Sequence, residues 1–207
     1  MLPLQKIHAG WCFALLCALL AGCATHVGPV NLYDFGPLPE VNPTNALGSG
    51  TVPTALSIAA MQAPAALNSQ QMLYRLSYVN DLQTRAYAGS RWSMAPAQLL
   101  EQRLKARLAQ AGTVVLSGSE GANTLPTLRI EVDQLIQNFS SPQQSEAQLA
   151  LRATLFNGRI PLAQKSFRQQ TAAASADAAG GARAMAEASD ALINALIAWL
   201  AGMPLQK

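Results

Sequence analysis

Apolar positions along the chain change period several times, and each change marks an element. Leu56-Ser57-Ile58-Ala59 is a short apolar run closed by Pro64, which predicts a strand into the body. Met72 to Val79 is rich in residues that suit a pleated surface. Leu82 to Tyr87 is expected to pair with it across Asn80-Asp81, and Gly89-Ser90 to break the run. Pro96 opens a helix with Leu99, Leu100, Leu104, Leu108 and Ala111 on one stripe, and Gly112 stops it.

Val114-Val115-Leu116 reads as a short strand between turn residues, with Gly118 and Gly121 after it. In Leu128-Arg129-Ile130-Glu131-Val132-Asp133 the apolar residues face one way and the charges the other, which is the pattern of a half-buried strand. Asn157-Gly158 lies between two β-rich stretches, Leu149 to Phe156 and Arg159 to Gln170. That dipeptide suits a type I′ turn and predicts an antiparallel hairpin. A last helix is expected from about Ala182 to Leu200, with Met185, Ser189, Leu192, Ile193, Leu196, Trp199 and Leu200 on one face. Gly180-Gly181 is expected to separate it from the preceding strand. The order is that of an α+β domain: a largely antiparallel sheet with two main helices packed on one face. Arg129, Glu131, Asp133 and Arg152 are expected on the other face, wet or against a partner.

Ahead of this domain the pattern is different. Lys6 precedes an uncharged apolar run, Trp11 to Ala21. The run is 11 residues long: it suits a signal-peptide core and falls short of the ~20 residues of a membrane-spanning helix. It ends in Leu20-Ala21-Gly22-Cys23, which resembles the bacterial lipobox. Residues 1–22 therefore read as a lipoprotein signal peptide, cut between Gly22 and Cys23, with the Cys23 thiol acylated. Residues 24–53 are rich in Pro and Gly and read as an extended tether, leaving 54–207 as a single domain. Within the tether, Tyr33-Asp34-Phe35-Gly36-Pro37 carries two aromatic rings and is expected to dock as an edge strand. Ala24-Thr25 after the cysteine lacks the aspartate that retains enterobacterial lipoproteins at the inner membrane. The outer membrane is the expected address, with the inner membrane as the alternative.

Composition narrows the chemistry. Without Lys6 the 14 Lys and Arg fall to 13 against 11 Asp and Glu, a net charge of +2, too weak a footprint for nucleic acid. Cys12 and Cys17 leave with the signal, so no disulfide is available to hold the fold. Arg103-Leu104-Lys105-Ala106-Arg107 reads as a solvated helix flank, with Glu101 four residues before Lys105. The one histidine left after cleavage is His26, in the tether, a poor base for a catalytic triad and too few ligands for zinc. No cofactor and no metal is expected. Glu131 and Asp133, about 6.6 Å apart on one strand face, are near the spacing of glycosidase carboxylates, yet a wet face does not supply the burial that a general acid needs. The expectation is a protein that is not an enzyme. Tyr74, Arg75, Arg91 and Trp92, with Tyr78 beside them, are the candidate partner-binding residues, although Trp92 suits a core position equally; Trp199 reads as core.

Taken in order, these features resemble the ABC-type transport auxiliary lipoprotein family, the lipoprotein components of mammalian-cell-entry (MCE) lipid transport systems, paraquat-inducible lipoproteins among them. The residues that carry the resemblance are the lipobox, Tyr33-Asp34-Phe35-Gly36-Pro37, Tyr74-Arg75, Arg91-Trp92 followed by Pro96 and the Leu-rich helix, and the C-terminal amphipathic helix. Where the family commonly has Leu-Pro-Pro, this chain has Phe35-Gly36-Pro37-Leu38-Pro39. The resemblance implies an auxiliary role in moving lipid between inner and outer membranes. The implied partners are an MCE-domain protein and an ABC permease and ATPase, with homo-oligomers to match an MCE ring. The rival readings are an outer-membrane assembly lipoprotein and an anchored hydrolase using Glu131 and Asp133.

Overall fold

The computed structural model describes residues 28–39, 52–117 and 125–203. In chain order these form β1 (Asn31–Tyr33), β2 (Ala55–Ile58), a 3-10 turn (Ala65–Asn68), β3 (Gln71–Leu76), β4 (Thr84–Trp92), α1 (Pro96–Gln110), β5 (Val114–Ser117), β6 (Thr127–Ser141), β7 (Gln144–Asn157), β8 (Ile160–Ala172) and α2 (Ala178–Ala201). The fold is α+β, one mixed eight-stranded sheet with two helices against its apolar face.

The frame is the antiparallel meander β6-β7-β8. Its first half is legible as the alternation Leu128, Ile130, Val132, all 2% exposed or less. Asp133 is then skipped: Val132 pairs with Leu151 and Gln134 with Ala150. One extra residue in a strand is a β-bulge, and it exchanges the two faces. Beyond it the inward set is Leu135, Gln137 and Phe139. The bulge lets one strand keep an apolar face through a change of phase, which is why β6 runs well past the predicted stretch.

The other edge of β6 is shared. β2 lies beside Thr127-Leu128 and β3 beside Gln137 to Phe139, both parallel to it. Outside β2 comes β5, parallel; outside β3 comes β4, antiparallel, and then β1, parallel to β4. Alternation gave no sign of these parallel pairs, because it marks the buried face of a strand and not which distant strand lies beside it.

Three local expectations need correction. Gly89-Ser90 does not end a strand; both lie inside β4. The register against β3 slips there, with partners jumping from Ala86 to Arg91 between Leu73 and Gln71. The glycine is absorbed in that irregularity, while Ser90 is buried and pairs with Asn31. The Asn157-Gly158 hairpin is present, but Asn157 is spent pairing with Ile160. The central residues are thus Gly158 and Arg159, and of the two only Gly158 has positive φ, 58°. That is the II′ pattern with glycine first, not I′. Gly180-Gly181, finally, lie within the first turn of α2, which starts at Ala178 behind the N-cap Asp177.

Close approach is what the two helix glycines provide. A Cβ on Gly180 would meet the backbone and hydroxyl of Ser175, and one on Gly181 would meet the Gln137 side chain. From this tight entry α2 runs along β7 and β8, burying Met185, Leu192, Ile193, Leu196, Ile197 and Leu200, each worth about 1.5–3 kcal/mol when fully buried. Trp199 is half-buried, edge-on to Phe167 with ring centroids 5.9 Å apart. α2 is long and apolar enough to cross a membrane by length and composition; its buried stripe shows it as the core helix of this domain.

Gly181→Ala is expected to destabilise the domain by about 1–3 kcal/mol through overpacking. Gly89→Ala, with no atom within 4 Å of the added methyl, should stay within about 0.5 kcal/mol. Urea unfolding of the two variants checks this, and equal midpoints would show that α2 does not need the close approach to Gln137.

Candidate functional site

The segment that leads from the N-terminus is held by a small set of residues. β1 pairs with β4, Tyr33 opposite Trp92, and the Ser93 N–H donates to the Tyr33 carbonyl at 2.7 Å. Asp34 then accepts the Gly36 N–H at 2.7 Å, an Asx turn, and Gly36 takes the left-handed conformation at φ 67°. The turn drives Phe35 into the core, edge-on to Trp92 with centroids 5.5 Å apart. It also aims three consecutive carbonyls at Arg103.

Arg103 is buried, on the apolar stripe of α1 between Leu100 and Leu104. Its Nε and Nη2 each donate to one oxygen of Asp190 on α2, both at 2.7 Å. Nη1 donates to the carbonyls of Phe35 (2.8 Å) and Gly36 (3.1 Å), and Nη2 to that of Pro37 (3.4 Å). All five guanidinium N–H groups thus have acceptors, which a lysine with three donors on one nitrogen cannot reproduce. One helical turn on, Arg107 donates to Asn194 at 2.8 Å, a second rung between the helices. The expectation of a solvated flank therefore fails for Arg103 and holds for Lys105, which pairs with Glu101 at 2.7 Å. The missed signal was an arginine on a leucine stripe, which has to bring a partner with it.

A second polar knot ties the strands to the entry of α2. Gln137 is 3% exposed; its amide nitrogen donates to Ser145 Oγ (2.8 Å) and the Asp177 carbonyl (3.0 Å), and its oxygen accepts from the Tyr87 hydroxyl (3.0 Å). Burial, with Tyr74 and Asp177 adding to it, pushes the Tyr87 hydroxyl above the usual tyrosine range, so it remains a donor. Tyr74 packs between Tyr87 and Phe139, at 4.6 and 5.8 Å between centroids.

The opposite face of the sheet is open. Arg152 on β7 stands across from Glu131; its Nη2 lies 2.7 Å from Glu131 and 3.6 Å from Asp133. These carboxylate side chains are 38% and 52% exposed and share one arginine, so they do not stand as a pair of independent acids. Such exposed pairs contribute about 0–1 kcal/mol. Beside them a shallow cleft of about 290 Å³ is lined by Gln134, Gln148, Arg168 and Gln170 among others.

The residues singled out by sequence are not brought to one surface. Trp92 is 3% exposed, so it takes the core role that the sequence left open and is withdrawn as a partner contact. Arg91 is half-buried and donates to the Tyr87 carbonyl at 3.1 Å. Tyr74 and Arg75 are half-buried on β3. Gly22, Cys23 and His26 lie outside the described residues.

A two-layer α+β domain of this topology has solved counterparts. Protein XCC0632 from Xanthomonas campestris is similar with a TM-score of 0.68 at 20% identity, over 83% of this chain and 95% of that one. A crystal structure of an uncharacterized protein is similar at 0.63 and 17%, over 83% and 97%. A comparison with curated proteins found no match. The chain belongs to the family of ABC-type transport auxiliary lipoprotein components, whose family model matches residues 33–197. The match begins at Tyr33, so the docked N-terminal turn is part of the family domain.

Arg103→Met leaves Asp190 and three carbonyls without their donor and is expected to cost about 3–5 kcal/mol. Adding Asp190→Leu should restore much of the loss, since no charge is then left unpaired. Urea unfolding of the two single variants and the double tests it; losses that simply add would show that the pair is not coupled.

The Gly180 N–H first, and then the Ser175 hydroxyl, hold the Asp177 carboxyl below its usual range. A depressed folded pKa stabilises above the unfolded value, and that contribution is lost as pH falls through the folded one. Asp177→Ala should therefore cost about 1 kcal/mol of capping at neutral pH and show less further loss below pH ~4 than the wild type. Thermal melts across pH 2–7 decide it; parallel curves would show that the cap does not titrate with folding.

Proposed function

We propose that the chain is a membrane-anchored periplasmic lipoprotein, acylated at Cys23 after cleavage behind Gly22, without enzymatic activity. On this reading it serves as the auxiliary component of an ABC and MCE-type lipid transport system, at the outer-membrane end of the route between the two membranes. Its family carries the reading, joined to the lipobox Leu20-Ala21-Gly22-Cys23 upstream of the matched region. The clasp on residues 33–37 supports it, because it fixes the anchor-side segment to the domain instead of leaving the domain on a long free tether. The partners are an MCE-domain protein and the permease and ATPase that go with it. The open sheet face, with its glutamine-lined cleft and the Glu131-Arg152 pair, offers the polar surface such a partner would meet, with Arg75 and Arg91 as further candidate contacts and a homo-oligomer as the expected state.

Globomycin should leave a longer precursor, and the mature chain should co-purify with an MCE-domain protein after crosslinking. Unchanged size under globomycin would remove the anchor. Repeated failure to capture an MCE protein, in cells carrying the adjacent permease and ATPase genes, would remove the transport role.

A further inference from the structure

The turn between β3 and β4 carries three exposed apolar side chains: Tyr78, Val79 and Leu82, at 45%, 61% and 89%. Apolar side chains clustered on an exposed turn are a common mark of a partner or membrane contact. Nor is the turn slack. The N–H groups of Val79 and Asn80 both donate to the Leu76 carbonyl at 2.9 Å, and that of Leu82 donates to Asn80 Oδ1 at 2.9 Å. Its base is tied to β6 by Ser77, whose N–H and hydroxyl donate to the Phe139 carbonyl at 3.0 and 2.8 Å. These bonds tie the backbone of the turn, and the apolar side chains are what it presents.

The direction of β1 says what covers them. β1 is parallel to β4, with Asn31 opposite Ser90, so the chain preceding Asn31 leaves along β4 towards Thr84, the end where this turn sits. Ser90 to Thr84 is six residues, about 20 Å of strand at most. Cys23 stands eight residues before Asn31, and eight residues reach at most about 29 Å. An acyl group on Cys23 therefore has the length needed to arrive beside the turn, with little to spare. The β7–β8 turn lies at the opposite end of the sheet, because β3 is parallel to β6 and β6 antiparallel to β7.

We propose that the β3–β4 turn is where the domain rests on the bilayer, with Tyr78, Val79 and Leu82 entering the interfacial layer of the membrane that holds the acyl anchor. The inference rests on the acylation of Cys23 proposed above. Tyrosine suits the headgroup boundary and Val and Leu the acyl boundary. Arg75 and Arg85 flank the turn against a single aspartate, Asp81, a balance suited to anionic headgroups. The geometry then holds the domain upright, with the β7–β8 turn pointing away from the membrane.

The test uses the full mature chain, in which acylated Cys23 leaves no free thiol. Leu82→Cys and Arg159→Cys are each labelled with an environment-sensitive NBD maleimide, and the protein is reconstituted into vesicles of phosphatidylethanolamine and phosphatidylglycerol. Lipids spin-labelled near the headgroup act as quencher. Both sites are exposed, so folding is checked simply by matching thermal melts. The expected result is a blue-shifted emission at position 82, quenched at least twofold more than at position 159. Intact mass is read on the same samples. An acylated chain whose position 82 emits as in water overturns the turn alone. Equal quenching at both sites overturns the upright orientation. A blue shift that appears only when a partner protein is added, without quenching, assigns the turn to that protein and overturns the bilayer contact. A chain without acyl mass overturns the anchor, and the placement of the turn falls with it.

Discussion

A guanidinium has five N–H groups in one plane, and in this domain a single buried arginine finds an acceptor for every one of them. Arg103 faces Asp190 on one side and the carbonyls of Phe35, Gly36 and Pro37 on the other. Three parts of the chain that share no strand pairing are joined there: α1, α2 and the N-terminal turn. A buried ion pair on its own is weak evidence of stability. The carbonyls change the case, because they too would be left without donors if the arginine were lost.

Everything around the clasp is arranged to let it close. Gly36 adopts a backbone conformation that a side chain resists, the Asx turn at Asp34 sets the direction, and Phe35 against Trp92 supplies the apolar seat. The Gln137 knot does the equivalent work at the other end of the core, tying β4, β6 and β7 to the entry of α2. Polar groups thus fix the positions of elements whose association is driven by the leucine-rich interior.

Much of this architecture was legible where one periodicity holds over a whole element. The stripe Leu99, Leu100, Leu104, Leu108 gave α1, and Leu128, Ile130, Val132 gave half of β6. The docking of Tyr33 to Pro37 followed from the cost of leaving two aromatic rings in water. Phase changes and distant partners were not legible. The bulge at Asp133 inverts the pattern in mid-strand, the irregularity around Gly89 hides a continuous β4, and Gly180-Gly181 look like a linker until Gln137 is seen against them. Arg103 was misread for the same reason, since Asp190 lies 87 residues away. Of the site residues, Trp92 resolved into the core, and the open face of Arg152, Glu131 and Asp133 was placed correctly by alternation alone.

The clasp also imposes an order of events. Its carbonyls come from the N-terminal turn, its guanidinium from α1 and its carboxylate from the last helix, so its five bonds are complete only when all three are in place. Until α2 arrives, Arg103 has the three carbonyls but lacks its counter-charge. Once α2 is seated, residues 35–37 and both helices are held by the same guanidinium. The first turn of the domain and its last helix are thus locked by one side chain, so disturbing either end of the fold is felt at the other.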